Sequence, residues 1–563
     1  MQLFNPRSYD RYHPDAEAPN LIQATIEFFE NKGLEAIKKD DQESIWYDDY
    51  LAFIKDHKVF AKMLTPTGYG DPGSRWDMWR ISEFNEVLSF YGLSYWYAWQ
   101  VSILGLGPIW MSENESLKKK AAADLADGGI FAFGLSEKEH GADIYSSSMT
   151  LHPQEDGSYL ARGEKYYIGN GNAAALVSTF GKIAGSDEYV FFAVSPKHEK
   201  YECVKKISTS GVRPAFVAEF ALNDYPVSKD DVLSVGKDAW DHALNTVNVG
   251  KYQLGFASIG ICTHSFYEAI HHAANRTLYG QKVTDFPHVK KLFTEAYARL
   301  MAMKLYGHRA ADYMRKASDQ DRRYLLYNPI MKMKVTSQGE HVMGMLHDVI
   351  AAKGFEQDTY FEMAIRDIGM LPKLEGTNHV NMALIVKFIK NYLFDKEEFA
   401  EFDQVSEAGN DAYLFNQVSG GLAEVRFPDY TRSFDEWDLP NINILREQME
   451  LYRDLLLKAP PTESQTKNPD FMIAAGELFT VIPYAQLILE NAKIYRVKPD
   501  LIDEVGRFLV KDFSRYAWQL VLEQETTAEQ ESLFRAMMKK PASDRTSSDT
   551  IWQQDVLPLK DSY

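Results

Sequence analysis

A chain of 563 residues carries 61 Lys and Arg against 80 Asp and Glu, a net charge of −19 and a pI near 5.3. That balance works against sequence-independent nucleic-acid binding, which needs clustered cations, and 45% hydrophobic with 25% charged residues excludes intrinsic disorder. Two cysteines, Cys203 and Cys262, exclude a disulfide scaffold and suit a reducing compartment. The first residues hold no basic-then-apolar leader and no uninterrupted apolar run reaches membrane-spanning length. The expectation is a cytoplasmic protein without a transmembrane segment.

Length predicts three or four cores. Residues 1–130 read as a helical domain, with Ile22, Ile26 and Phe29 at helix spacing. The apolar, aromatic stretch from Ile81 to Trp110 predicts a buried helix pair whose Tyr91, Tyr95 or Trp99 would shape a pocket for an apolar ligand. Character changes near Ile130. Residues 131–240 predict a small β domain, a barrel or sandwich, with strands near 159–161, 165–168, 189–193 and 216–220, and with Tyr225-Pro226-Val227 as its exit.

Residues 241–395 predict a four-helix bundle, drawn through 247–277, 287–318, 328–353 and 377–395. Val289, Phe293, Ala296, Leu300 and Met303 form its clearest stripe, and Met331, Met333, Met343 and Met345 read as core filling. Residues 396–563 predict a helical extension with two stripes, broken at Pro460-Pro461, and an extended arm after Lys540. The fold class expected is therefore mainly α with a central β domain.

Several stretches carry chemistry. The loop Phe133-Gly134-Leu135-Ser136 through Asp143 offers backbone N–H groups and a hydroxyl to a polar ring edge or phosphate, although its charges also suit a solvent loop. Tyr166-Tyr167-Ile168-Gly169-Asn170 ends a strand with flat aromatics. Gly169 to Ala174 fits G-x-G-x-x-A, but no βαβ unit follows, so a dinucleotide fingerprint is rejected. Arg276 and Tyr279 close a helix as a pyrophosphate partner and a stacking ring, or equally as a basic C-terminus with a Gly280 cap. Lys353-Gly354-Phe355 and Arg366-Asp367 precede Glu375-Gly376-Thr377-Asn378-His379. There a lone carboxylate sits beside a glycine that admits close approach to a ligand and a threonine able to cap the next helix. No HExxH, CxxC pair or nucleophile elbow supports a metal or serine hydrolase.

In order and spacing these segments resemble the acyl-CoA dehydrogenase family over about residues 21–395. Leu135 to Asp143 is similar to its Thr-Glu-Pro-Gly-Ala-Gly-Ser-Asp loop, Tyr167 to Gly171 to its Trp-Ile-Thr-Asn-Gly strand end, and Arg276 to Gly280 to its Arg-x-x-Phe-Gly segment. Ala351 to Phe355, Arg366-Asp367 and Glu375-Gly376-Thr377 follow its later motifs. The resemblance implies FAD, an acyl-CoA substrate dehydrogenated to trans-2-enoyl-CoA, and Glu375 as the base for the α-proton. It implies Phe133, Leu135, Ser136, Tyr167 and Gly169 at the flavin ring. Arg276, Tyr279, Ala352, Thr377 and His379 would hold the adenine dinucleotide half, partly from a neighbouring subunit, and Ala142, Tyr95 and Gly376 the substrate.

Four departures stand against that pattern. Gly169 replaces a threonine that bonds the flavin, Ala351-Ala352 replace paired glycines, and Pro287 replaces a glutamine. Lys138-Glu139-His140 and Ala142 replace Pro-Gly-Ala and Ser. The extension resembles that of very-long-chain members, which implies a homo-oligomer, a homodimer or a homotetramer, with an electron-transfer flavoprotein as acceptor. The rivals are an acyl-CoA oxidase and a non-catalytic, nucleic-acid-associated flavoprotein of the same fold.

Overall fold

The computed structural model describes every residue except Met1, Arg11, Tyr12, Pro14, Ser419 and Asp544. Helices fill the chain to Ala126, and one of them, Leu93–Met111, is buried on every side. A helix apolar all round must be enclosed all round, and its small residues show by what. A Cβ at Gly105 would lie 2.7 Å from the Ala132 backbone, and one at Gly107 2.6 Å from the Thr246 hydroxyl. The helix is thus pressed between the β domain and the bundle.

The β domain is one mixed sheet. Its strands are β1 Phe131–Gly134, β2 Thr150–Pro153, β3 Tyr159–Gly169, β4 Leu176–Ile183, β5 Tyr189–Val194, β6 Tyr201–Lys206, β7 Val217–Val227 and β8 Val232–Val235. The order is β6-β7-β3-β2-β4-β5-β8, with β1 parallel beside β4. The pieces expected at 159–161 and 165–168 are one strand, passing through Gly163 at φ +139° where Met149 crowds the backbone. Tyr225-Pro226-Val227 is not the exit but the end of β7. Pro226 lies beyond the last residue paired with β6, so its missing N–H leaves no acceptor unpaired. A bulge between Tyr166 and Ile168 leaves Tyr167 at φ +63° and 61% exposed.

The bundle begins with Lys237–Asn275, ten residues earlier than the expected start, and continues with Pro287–Arg315. The helix expected at 328–353 runs Tyr324–Ile330, a widened π turn Met331–Val335 and Thr336–Ile350. Pro329 precedes the widened turn, a common partner of such a bulge. The turn carries two buried lysines, Lys332 and Lys334, among the core methionines. Arg276 is the C-cap of the long helix, as expected, but Gly280 does not cap it: Thr277-Leu278 pairs with Gln281-Lys282 across Tyr279 and Gly280, both at positive φ.

In the extension Pro440–Lys458 lies against Pro499–Leu522, and Pro469–Ile494 and Pro499–Leu522 pack onto the bundle. Buried ion pairs tie them, Arg299 to Asp512 and Arg309 to Glu490, each at 2.9 Å. Among the described residues Pro469–Ile494 alone is long and apolar enough on average to cross a membrane, although Glu477 and Glu490 interrupt it, and 78% of its most apolar window is buried in the fold. The end of the chain is not an extended arm. It forms the helix Arg545–Ile551 and further turns to Asp561, and returns to the N-terminal segment through the Asn5 Nδ2 bond to the Ser562 carbonyl at 3.1 Å.

Candidate active site

Glu375 lies between the short helices Tyr360–Asp367 and Asn378–Ile385. It and Gly376 have φ of +54° and +86°. Two successive left-handed residues are costly outside glycine, so the surrounding loop must hold them. Lys332 does so from the π turn, its Nζ donating to the Pro372 carbonyl at 2.5 Å. The reversal turns the Glu375 side chain inward, between the helix Leu93–Met111 and the long bundle helix.

There its Oε1 accepts from Gln100 Nε2, which also donates to the Gly250 carbonyl at 3.1 Å. Gly250 is a glycine for room: a Cβ would lie 3.0 Å from the Glu375 carboxyl carbon and 2.6 Å from a Leu104 methyl. Oε2 is buried with no donor among the described residues, as is Gln100 Oε1. Burial pushes the Glu375 carboxyl up to about 7, against the Gln100 bond and the positive fields of Lys332 and Lys251. Burial likewise brings Lys251 down to about 8 and Lys332 to about 7. The outcome is a carboxylate poised near neutrality, as a general base must be. The backbone N–H groups of Glu375 and Gly376 donate to no described residue.

Tyr97 joins this cluster to the strand end. A Cβ at Gly169 would lie 2.7 Å from the Tyr97 ring, 2.9 Å from its hydroxyl and 2.6 Å from Val101. The ring therefore fills the place a side chain at 169 would take. Its hydroxyl is held above the usual phenol range by burial and then by the Glu375 charge. Three residues back from Gly169, Tyr166 N–H donates to the Ser136 carbonyl at 3.0 Å, and Ser136 Oγ donates to the Tyr166 carbonyl at 2.7 Å. The Ser136 hydroxyl is thus spent on the fold as a donor. Phe133 is buried and stacked on Phe191, while Leu135 is half-buried.

The other expected residues divide. Thr377 and His379 stand exposed at the start of Asn378–Ile385, beside Glu375, and Thr377 makes no capping bond. Ala142 is exposed in its loop, Ala352 is exposed behind Ala351, and Arg276 and Tyr279 are exposed, Tyr279 at 95%. Twenty-six residues of helix at 1.5 Å each place Arg276 about 39 Å from Gly250 along one axis. Tyr95 does not line the site. Its ring packs on Phe29, Tyr47 and Tyr50, on the far side of its helix from Tyr97 and Gln100. Tyr91 and Trp99 also face elsewhere, to Glu30 and to Asn85.

Glu137, in the loop whose charges also suited solvent, is buried on Lys165, Ser147 and the Ser148 and Met149 amides, which hold it well below the usual carboxylate range. Arg366-Asp367 braces the units: Arg366 bonds Asp41, Glu362 and the Ser210 carbonyl, and Asp367 accepts from Val212 N–H at 2.8 Å. Gln100, Tyr97, Gly250, Lys251 and Lys332 were missed. The signal for Gln100 was a single amide in an apolar run, with Tyr97 and Leu104 on the same face at i−3 and i+4.

A family model, acyl-CoA dehydrogenase, C-terminal domain, matches residues 238–390. An acyl-CoA dehydrogenase of Bacillus subtilis (strain 168) is 23% identical over 290 residues, covering 51% of this chain and 75% of the relative. The mitochondrial very long-chain specific acyl-CoA dehydrogenase of Rattus norvegicus is 25% identical over 373 residues, covering 64% of this chain and 55% of the relative. Among solved structures, an acyl-CoA dehydrogenase of Bacillus anthracis complexed with FAD superposes with a TM-score of 0.76 at 17% identity, over 100% of this chain and 97% of that one. The chain thus carries the acyl-CoA dehydrogenase C-terminal domain over residues 238–390 and shares the fold of a solved acyl-CoA dehydrogenase along its whole length.

Proposed function

We propose that this chain is an FAD-dependent acyl-CoA dehydrogenase whose Glu375 takes the α-proton of an acyl-CoA thioester, giving trans-2-enoyl-CoA. The observation that carries the reading is a buried, near-neutral carboxyl beside unspent backbone donors. When bound, FAD supplies the acceptor for the β-hydrogen, so that the proton goes to Glu375, two electrons leave with the hydride and the α–β double bond forms.

The residues present fit that cofactor. Tyr167 offers an exposed flat face at a strand end, and Tyr97 closes the gap at Gly169. The orphaned acceptors Glu375 Oε2 and Gln100 Oε1 suit hydroxyl or other donor groups of a ligand. An α-proton of a thioester is far too weakly acidic for a glutamate in water, so the developing oxyanion needs donors. The Glu375 N–H is one such donor, and a single preorganised donor supplies about 3 kcal/mol of barrier lowering. Enclosure of the carboxyl removes water that would compete for the proton.

The span from Gly250 to Arg276 supports an assembly in which Arg276 and Tyr279 serve the adenine dinucleotide of a second copy. An electron-transfer flavoprotein as acceptor and a cytoplasmic location complete the proposal. The test is the visible spectrum of purified protein, taken anaerobically before and after butyryl-, octanoyl- and palmitoyl-CoA. Bleaching of an oxidised flavin band is expected; a flavin band that no thioester bleaches overturns the reaction, and failure to bind FAD on reconstitution overturns the cofactor.

A further inference from the structure

The Gln100 side chain bonds both the base and the helix behind it. Its Nε2 donates to Glu375 Oε1 and to the Gly250 carbonyl. It is 1% exposed, so no water replaces either bond if the amide is lost. A donor so placed matters only if its own backbone cannot drift, and here it cannot. Trp96 and Trp99 flank Gln100 on the same helix, and both indole N–H groups donate to Asn85 Oδ1, at 2.7 and 3.1 Å. Asn85 Nδ2 in turn donates to Gln253 Oε1 at 2.7 Å, and Gln253 sits one turn beyond Gly250 on the long helix. Base, donor and both helices are therefore coupled through one closed layer of hydrogen bonds.

We propose that Gln100 is the positioning residue for Glu375, holding the carboxylate against Gly250 at the interface of the two helices. The inference rests on Glu375 being the base. It goes further in assigning the base's location to an amide on the N-terminal domain, so that the relative position of that domain and the bundle sets the reacting geometry. The charged and titratable groups facing Glu375 are Lys251 on the long helix, Lys332 on the π turn and Tyr97 on the Gln100 helix. None of these bonds the carboxyl among the described residues, which leaves Gln100 as its donor.

The test is Gln100→Leu, similar in volume and without a donor, read in the FAD-loaded enzyme with whichever of the three thioesters reduces the wild type. The expected result is a fall in kcat of at least tenfold with KM changed less than threefold. The acidic limb of the kcat profile moves to higher pH, because a hydrogen bond to the charged form is gone. A substrate-independent readout accompanies it. The Tm gap between wild type and Gln100→Leu should widen from pH 5 to pH 8, as Glu375 ionises without its donor, and should not widen in a Glu375→Gln background. An unchanged acidic limb with a pH-independent Tm gap overturns the positioning role and leaves Gln100 a packing residue. If no thioester reduces the wild type, the proposed reaction fails, while the two Tm series still decide the contact.

Discussion

Glu375 combines a strained backbone with a buried carboxyl, and both leave measurable traces. Its folded-state pKa of about 7 lies above the usual 4.5, so the native state binds a proton that the unfolded chain has released. Stability from this group is therefore greatest below about pH 4.5 and is lost as pH rises through 7; 2.5 units correspond to about 3 kcal/mol. Glu375→Gln removes that loss. Chemical denaturation of ligand-free protein should show the variant gaining on the wild type between pH 5 and pH 8, while turnover falls by roughly three orders of magnitude. The same pKa predicts a kcat that climbs through neutral pH. Ala351 carries strain without a visible return. Its φ of +53° with ψ of −134° belongs to glycine, the residue the resemblance leads one to expect there. Ala351→Gly should raise stability by about 1 kcal/mol, since relief of the Cβ clash exceeds the entropy cost of glycine. A lower Tm in the variant contradicts the strained geometry.

At the scale of elements, the site is a junction of two helices and a loop. Gly250 is what lets them meet. Gly250→Ala would push a methyl against the Leu104 side chain and the Glu375 carboxyl. The carboxyl is the mobile partner and should yield, so the expected outcome is a kcat at least tenfold lower with a stability cost of about 1–2 kcal/mol. Equal kcat with a large stability loss would place the crowding in Leu104 alone. The π turn at Met331–Val335 works with this junction. By widening the helix it directs Lys332 to the Pro372 carbonyl, so the loop carrying Glu375 is fixed from the bundle side as Gln100 fixes it from the other.

At the scale of the molecule, three units are fastened by two adjacent residues. Arg366 reaches Asp41 on the first helix and Ser210 in the β domain, and Asp367 takes the Val212 N–H. Removing one member of such a buried charge network leaves partners uncompensated, and Arg366→Ala should cost about 3–5 kcal/mol and loosen all three units together. A single cooperative melt at lower temperature is expected; loss of helix 17–43 alone, seen as local hydrogen exchange with an unchanged melt, would contradict it. These residues were picked from the sequence as part of a functional series. What they hold is the fold around the site.

Much of this was legible in the chain. Periodicity marks where helices give way to strands near Ile130 and return near Trp240, because burial of one face imposes a period that composition cannot hide. Glu375 stood out because a lone carboxylate beside glycine between two helices needs a reason. The start of the long helix, the single strand β3 and the coiled C-terminal tail were misread, since their ends are set by partners distant in sequence: Gly236 against Tyr189, Gly163 against Met149, Ser562 against Asn5. Among the aromatics of the Ile81 to Trp110 stretch, composition made Tyr91, Tyr95, Tyr97 and Trp99 equivalent. A helix apolar on every face carries no pattern to say which side meets the base. The sequence by itself determined the order of units and the acid. Only the tertiary structure decided that Tyr97 and Gln100 face it, because that choice depends on which surfaces of the helix the sheet and the bundle cover.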